Sequence, residues 1–101
     1  MNILYSEEAI QDLVRLREFI EIKNPLAAQR AAASIKKGIS QLKKFPRLGV
    51  KVGTAPEPDT VRDLIIGNYL ARYLITEQAI YILRIWHHKE HLDSTTKCNV
   101  L

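Results

Sequence analysis

The stretch that decides the fold is residues 61–86, VRDLIIGNYLARYLITEQAIYILRIW. Three apolar, β-rich runs lie at residues 61–66, 69–75 and 79–86. The gaps between them, Gly67-Asn68 and Thr76-Glu77-Gln78, are typical of tight hairpin turns. The stretch therefore predicts a three-stranded antiparallel meander. Its last two strands are apolar on both faces, as central strands are, whereas Arg62 and Asp63 favour an edge position for the first.

Two helices are predicted before the meander. Ser6 can cap the first, because Glu7 and Glu8 follow it and match the positive end of a helix dipole. Apolar residues then recur at helical spacing, at Ala9, Leu13, Leu16 and Ile20. We expect this helix over residues 7–22. Asn24-Pro25 ends it and starts a second helix, which runs from residue 26 to Phe45-Pro46.

The order of the elements predicts the fold class. A short strand at residues 2–5 precedes the helices, and a loop at residues 46–60, with Pro and Gly, leads into the meander. This order predicts an α+β fold: an N-terminal strand, then an antiparallel helical hairpin packed on one face of an antiparallel sheet that the C-terminal meander completes. Residues 1–101 are expected to form a single domain, with 93–101 as a flexible tail.

Length and composition exclude several classes of protein. A chain of 101 residues with 47% hydrophobic and 26% charged residues is one globular domain rather than a multidomain enzyme or a disordered chain. Cys98, the single cysteine, cannot form an intramolecular disulfide. The N-terminus has no signal-peptide pattern, and no apolar run is long enough to span a membrane. We therefore expect a cytoplasmic protein without a membrane partner.

The charge is unevenly distributed. Fifteen basic and eleven acidic residues give a net charge of +4. The first helix is rich in glutamate, whereas residues 30–51 carry seven basic residues and no acidic one: Arg30, Lys36, Lys37, Lys43, Lys44, Arg47 and Lys51. Such a basic segment is compatible with an acidic protein partner, with nucleic acid, or with a solvated surface only.

Arg72 and Arg84 each lie inside an otherwise apolar strand. A guanidinium in that position must be paired or must face the side of the sheet that the helical hairpin leaves uncovered. On an uncovered face the two arginines would bind phosphate or the carboxylates of an acidic partner. The alternative is an internal ion pair, with Asp63 on the adjacent strand as a candidate.

Three histidines follow the last strand in the segment Arg84-Ile85-Trp86-His87-His88-Lys89-Glu90-His91. On a strand, Arg84 and Trp86 face one way and His87 the other. The histidines could bind zinc, although no spacing typical of a zinc site is present. They could instead act with Arg84 in acid–base cleavage of RNA, or be hydrogen-bonded surface groups. No other catalytic motif and no cofactor-binding motif is present, so no cofactor or metal is expected.

Six motifs in fixed order carry a family resemblance. They are Asp12-Leu13, Asn24-Pro25-x-Ala27-Ala28, Ile39-x-x-Leu42, Phe45-Pro46-Arg47-x-Gly49, Val61-Arg62-Asp63-Leu64-x-x-Gly67-Asn68-Tyr69 and Ile80-Tyr81-Ile82-Leu83-Arg84-Ile85-Trp86-His87. Together they resemble the RelE/ParE toxin superfamily, and specifically its ParE branch. The resemblance implies the toxin of a type II toxin–antitoxin system, neutralised by a cognate ParD-like antitoxin. ParE toxins inhibit DNA gyrase by binding, whereas RelE toxins are ribosome-dependent mRNA endoribonucleases.

The resemblance also implies which residues matter. RelE-type nucleases carry an arginine directly after the hairpin tyrosine; here Leu70 follows Tyr69, which favours the ParE branch and a binding toxin over an enzyme. If the chain were a metal-independent endoribonuclease, its catalytic residues would be Arg72, Arg84, His87 and His88. The candidates for partner binding are Arg62, Arg72, Arg84, Trp86, His87, His88 and Lys89. Direct binding of nucleic acid is left open.

Overall fold

The computed structural model describes residues 2–53 and 60–87. The elements, in chain order, are β1 (Asn2–Tyr5), α1 (Glu7–Lys23), α2 (Pro25–Ser40), a 3-10 turn (Gln41–Lys43), β2 (Val50–Lys51), β3 (Val61–Ile66), β4 (Tyr69–Ile75) and β5 (Ala79–His87). The predicted α+β class and the predicted order of strand, helical hairpin and meander are confirmed. The predicted tail, Cys98, His88 and Lys89 lie outside the described residues.

The five strands form one sheet in the order β1-β5-β4-β3-β2. The antiparallel meander of β3, β4 and β5 is as predicted, and Gly67 opens its first turn with a φ of +58°, which glycine adopts without strain. β1 pairs with β5 in parallel, so the sheet is mixed rather than wholly antiparallel. α1, α2 and β2 separate β1 from the meander in the chain, so no hairpin turn constrains β1 to run antiparallel to its neighbour.

The prediction that β3 is an edge strand is wrong for the part that contains Arg62 and Asp63. β2 pairs with it at Val50↔Asp63 and Lys51↔Arg62, so β2 is the edge strand there. Sequence patterning does not define a strand of two residues, since alternation needs four or more residues to be recognised. Beyond Asp63, no strand of the described residues pairs with β3 on this side.

Polar side chains define both ends of α1 and the start of α2. The Ser6 hydroxyl accepts a hydrogen bond from the Ala9 N–H (3.0 Å) and caps α1 as predicted. The Asn24 N–H donates to the Ile20 carbonyl (2.8 Å), and the Asn24 side-chain oxygen accepts from the Ala27 N–H (3.1 Å). Asn24 therefore ends α1 and caps α2, so the two helices can be separated by one residue.

The helices cover one face of the sheet, called here the inner face, and the core lies between them and the sheet. The largest fully buried side chains are Ile35, Ile39 and Leu42 from the helical segment and Tyr73, Ile80, Ile82 and Ile85 from the sheet. Neither described helix is long and apolar enough to cross a membrane. The opposite face of the sheet, called here the outer face, has no described helix packed on it.

A β-bulge in β5 decides which face Arg84 occupies. Arg72 is opposite Arg84, but the next residue of β4, Tyr73, is opposite Ile82, so Leu83 is extra. Because of this extra residue, Ile82 and Ile85 both point to the inner face, and Arg84 and Trp86 point to the outer face. The Ser6 hydroxyl donates to the Leu83 carbonyl (2.9 Å), which ties the bulge to the start of α1.

Candidate partner-binding surface

Arg72, Arg84 and Trp86 come together on the outer face; we call them the arginine–tryptophan cluster. Arg72 and Arg84 are opposite each other on β4 and β5. Their guanidinium carbons lie 5.1 and 5.4 Å from the centroid of the Trp86 ring. Both distances are within the range of a cation–π interaction, so one indole orders two cations.

Arg72 is held by an aspartate on the neighbouring strand. Its Nε donates to Asp63 Oδ1 (2.8 Å) and its Nη2 to Asp63 Oδ2 (3.0 Å). This hydrogen-bonded ion pair raises the pKa of Arg72, although burial alone would lower it. The sequence left open whether Arg72 faces a partner or forms an internal ion pair with Asp63. The ion pair with Asp63 is confirmed.

Arg84 is held by an aspartate of α1. Its Nε donates to Asp12 Oδ2 (2.8 Å) and its Nη2 to Asp12 Oδ1 (3.1 Å), while the backbone N–H of Ile85 also donates to Asp12 Oδ2 (2.9 Å). β1 ends at the pair Tyr5↔Ile82. The Asp12 carboxylate thus supplies an acceptor to β5 just beyond the point where β1 stops supplying one.

The Asp12 carboxyl is buried and ionised. Only 4% of the residue is exposed. Burial by itself would raise the pKa of this carboxyl, but the hydrogen bonds from Arg84 and the Ile85 N–H, with the charges of Arg84 and Arg15, lower it below its ordinary value. Sequence reasoning missed this residue, although a signal existed: Asp12 lies among Ala9, Leu13 and Leu16 on the apolar stripe of α1.

Arg62 lies apart from the cluster, on the inner face, and is only 8% exposed. Its Nη1 donates to the Gly49 carbonyl (2.8 Å). The Tyr73 hydroxyl donates to the Pro46 carbonyl (2.7 Å) and accepts from the Gly49 N–H (2.9 Å). Arg62 and Tyr73 thus fix the loop that follows the 3-10 turn.

Gly49 is required by this close packing. A Cβ at this position would lie 2.7 Å from the Asp63 carbonyl oxygen and 2.8 Å from the Tyr73 ring, closer than a side-chain carbon can approach. The motif Phe45-Pro46-Arg47-x-Gly49 therefore carries a structural requirement: its backbone must lie directly against β3 and β4.

His87 faces away from the arginine–tryptophan cluster. It is opposite Tyr69, which packs against the core, and the two rings meet edge to face with centroids 5.4 Å apart. Of the four residues predicted for a ribonuclease, the structure brings Arg72 and Arg84 together and puts His87 on the inner face. Within residues 2–53 and 60–87, no three His, Cys, Asp or Glu side chains are grouped as metal ligands.

The open part of β3 borders a groove, called here the edge groove. It has a volume of about 490 Å³ and lies between the C-terminal half of α2, near Lys37 and Gly38, and the backbone of residues 64–66. The Val61 carbonyl accepts from the Val52 N–H on the β2 side (3.1 Å). Since alternate residues of a strand point their backbone groups the same way, the N–H and C=O of Ile65 point into this groove.

Comparison with known proteins identifies the family. A family model described as "ParE toxin of type II toxin-antitoxin system, parDE" matches residues 3–92. The chain belongs to the ParE toxin family. The RelE/ParE resemblance in the sequence is thereby confirmed, and this family member is a toxin of the type II toxin–antitoxin class.

Two curated relatives of this ParE-family chain come from Caulobacter vibrioides. Toxin RelE2 is 33% identical over 87 residues, which is 85% of this chain and 93% of the relative. Toxin RelE1 is 28% identical over 93 residues, which is 88% of this chain and 95% of the relative. The names of both relatives thus come from the RelE side of the superfamily.

Two solved structures share the ParE fold seen here. A chain of the chromosomal ParDE toxin–antitoxin system of P. aeruginosa superposes with a TM-score of 0.73 at 22% identity, covering 86% of this chain and 95% of that one. A chain of the RelB–RelE antitoxin–toxin complex of Methanococcus jannaschii gives a TM-score of 0.55 at 18% identity, covering 90% and 96%. At these identities the likeness concerns the fold alone.

Proposed function

We propose that this ParE-family toxin acts by binding DNA gyrase rather than by catalysis, through the outer face of its sheet. The observation that carries the proposal is the state of the arginine–tryptophan cluster. Both guanidinium groups are held by two hydrogen bonds to an aspartate, and His87 lies on the other face. The cluster is rigid and charged, and its three described side chains include no group that exchanges protons near neutral pH.

The chemistry of these side chains supports recognition. Cleavage of RNA by general acid–base catalysis needs a positioned group with a pKa near the working pH. Arginine stays protonated, and an indole neither gives nor takes a proton under these conditions. In contrast, tryptophan and arginine are the residues most enriched at the energetic centres of protein interfaces. Ordering them before binding also lowers the entropy that association costs.

Inhibition of gyrase tests this proposal. The purified chain is added to gyrase, ATP and relaxed plasmid, and supercoiling is measured by gel electrophoresis. We expect the wild-type chain to inhibit and Trp86→Ala to require about tenfold more protein, as for a central interface residue. Phe45→Ala is the matched control, since Phe45 is exposed, aromatic and away from the cluster. Failure of the folded wild-type chain to inhibit would contradict the proposal.

A second candidate function is a RelE-like ribosome-dependent mRNA endoribonuclease. It is favoured by the names of the two Caulobacter vibrioides relatives, RelE2 and RelE1. Its candidate residues are Arg72, Arg84, His87 and His88. Induction of the chain in bacteria separates the two functions: immediate arrest of translation with cut messages and intact, normally supercoiled DNA would support the nuclease and reject the gyrase proposal.

The proposed neutralising partner is a ParD-like antitoxin, which binds along the edge groove. An extended antitoxin segment would pair with Ile65 in the position that β2 vacates, and acidic side chains would meet Lys37. The groove supports this mode because a sheet edge offers backbone hydrogen bonds, while the adjoining helix offers apolar and basic contacts.

Co-purification tests the antitoxin site. The small reading frame next to this gene is expressed with a tag, and retention of the toxin is measured. Ile65→Pro removes the N–H that points into the groove, and we expect about tenfold weaker retention. Ile65→Thr is the control, because it changes the side chain but keeps the N–H. Equal retention of both variants would contradict strand addition at this edge.

A further inference from the structure

The helical hairpin exposes an apolar surface on the side away from the sheet; we call it the hairpin surface. Ile10 and Val14 of α1 are each 50% exposed and stand one helical turn apart. Beside them, a groove of about 160 Å³ runs between the helices and includes Ala31 and Ala32 of α2. A ridge of branched side chains therefore lies directly next to a recess lined by small ones.

The two helices that form the hairpin surface differ in charge. Apart from Asp12, which is buried against Arg84, α1 carries four acidic and three basic residues. α2 has no acidic residue, and of its three basic residues Arg30 and Lys36 lie away from the edge groove, which Lys37 borders. Lys36 lines the groove itself, and Arg17 and Glu21 of α1 form an exposed ion pair (3.6 Å) beside the ridge. The ridge is thus on the acidic helix, and the basic helix forms the far wall of the recess.

We propose that a second copy of this chain docks on the hairpin surface about a two-fold axis. A two-fold interface uses the same patch on both molecules, so it must be complementary to itself. The hairpin surface is complementary to itself. The α1 ridge of each copy fits the recess of the other, and in both places the more acidic α1 lies over the basic α2. A single helix from an unrelated protein would match only one half of the patch.

The small size of the patch is typical of weak, reversible association. A helix of 17 residues is about 26 Å long, and two packed helices are about 20 Å wide, so each copy buries roughly 500 Å². That area is at the lower end for specific association, so a dissociation constant in the micromolar range is expected. The dimer does not use the outer face or the edge groove, so it goes beyond the proposed binding of gyrase and antitoxin.

Sedimentation velocity of the purified chain between about 1 and 300 µM tests the dimer. We expect the wild-type chain to pass from monomer to dimer over this range. Val14→Asp puts a buried charge at the centre of the interface, and Lys36→Glu puts like charges opposite each other; each should raise the dissociation constant about tenfold or more. Ile65→Asp, an aliphatic-to-acid change at a similarly exposed site on the outer face, should leave it unchanged.

Three results would overturn the proposal. One is a wild-type chain that stays monomeric throughout the range. Another is dimerisation that Val14→Asp does not weaken relative to Ile65→Asp, while circular dichroism confirms that both variants are folded. The third is growth into larger species with concentration, because a two-fold interface closes at two copies. Loss of gyrase inhibition or antitoxin binding does not enter this test, so failure of the proposed function is read separately.

Discussion

Arg72 and Arg84 lie opposite each other and contact the same indole, and each donates two hydrogen bonds to one aspartate. The two aspartates, however, belong to different parts of the chain. Asp63 is nine residues from Arg72, on the next strand of the same hairpin. Asp12 is 72 residues from Arg84 and belongs to α1. The first pair reinforces a contact that the strand ladder already makes, whereas the second fixes a helix to the last strand.

The two aspartates also differ in what else depends on them. Asp63 is partly buried on the outer face, with 13% of its side chain exposed, and it pairs with Arg72. Asp12 is buried, and besides Arg84 it binds the Ile85 N–H on the part of β5 that β1 does not reach. Loss of the Asp12 carboxylate therefore removes an acceptor from a backbone donor of the sheet and also removes the carboxylate that binds the Arg84 guanidinium. Similar pair geometry thus reinforces the pairing of two strands in one case and joins a helix to the sheet in the other.

The largest predicted difference between the two ion pairs is the loss of unfolding free energy when each aspartate is replaced by alanine. Breaking a buried ion pair costs about 3–5 kcal/mol, but because the Arg84 side chain is 46% exposed we expect about 2–4 kcal/mol for Asp12→Ala. For Asp63→Ala we expect a smaller cost, about 1–2 kcal/mol, because Asp63 is less buried than Asp12 and the β3–β4 ladder still holds the two strands together. Urea unfolding followed by circular dichroism measures both. Equal costs would show that the two pairs are energetically alike.

The sequence predicted one of these pairs and not the other, for a physical reason. Hairpin turns at Gly67-Asn68 set which residues of β3 and β4 are neighbours, so Asp63 could be named as a partner for Arg72. The partner of Arg84 depends on how α1 crosses the sheet and on the bulge at Leu83. Both depend on three-dimensional packing, which local spacing does not encode. The start of α1 and the boundary between α1 and α2 were predicted closely, because Ser6, Asn24 and Pro25 act on their immediate neighbours. The end of α2 was not: the helix ends at Ser40, five residues before Phe45, and residues 41–43 form a 3-10 turn.

The sequence did not show which of the candidate arginines is buried. Arg62 and the arginines of the cluster look alike in sequence, since each interrupts an apolar strand. Only the folded chain distinguishes Arg62, which turns inward to hold the Gly49 carbonyl, from Arg72, which faces outward. His88 and Lys89 lie outside the described residues, and their roles stay predictions, as do those of the other candidates for partner binding.

The pH dependence of stability gives a smaller effect that tests the Asp12–Arg84 pair. The pKa of Asp12 is lowered in the folded chain, so its contribution to stability is full above the unfolded value, about 3.9, and is lost as the pH falls through the folded value. Asp12→Asn resembles the protonated carboxyl in shape and charge. We therefore expect the difference in unfolding free energy between wild type and Asp12→Asn to shrink between about pH 6 and pH 2.5. A difference that is constant with pH would contradict an ionised Asp12.

The smallest effects come from exchanging each arginine for lysine, which keeps the charge but loses the two-pronged hydrogen bond and much of the stacking on Trp86. Arg84→Lys should cost about 1 kcal/mol, because the buried carboxylate loses one donor, whereas Arg72→Lys should cost about half as much. If the cluster binds gyrase, both variants should inhibit supercoiling about threefold less well than wild type, despite their unequal stability. If the arginines are only structural, inhibition should instead follow stability, with Arg72→Lys close to wild type. Supercoiling inhibition and urea unfolding, measured on the same preparations, distinguish these outcomes. The loss of inhibition in Arg84→Lys divided by that in Arg72→Lys would be near one if the cluster binds gyrase, and well above one if the arginines are only structural.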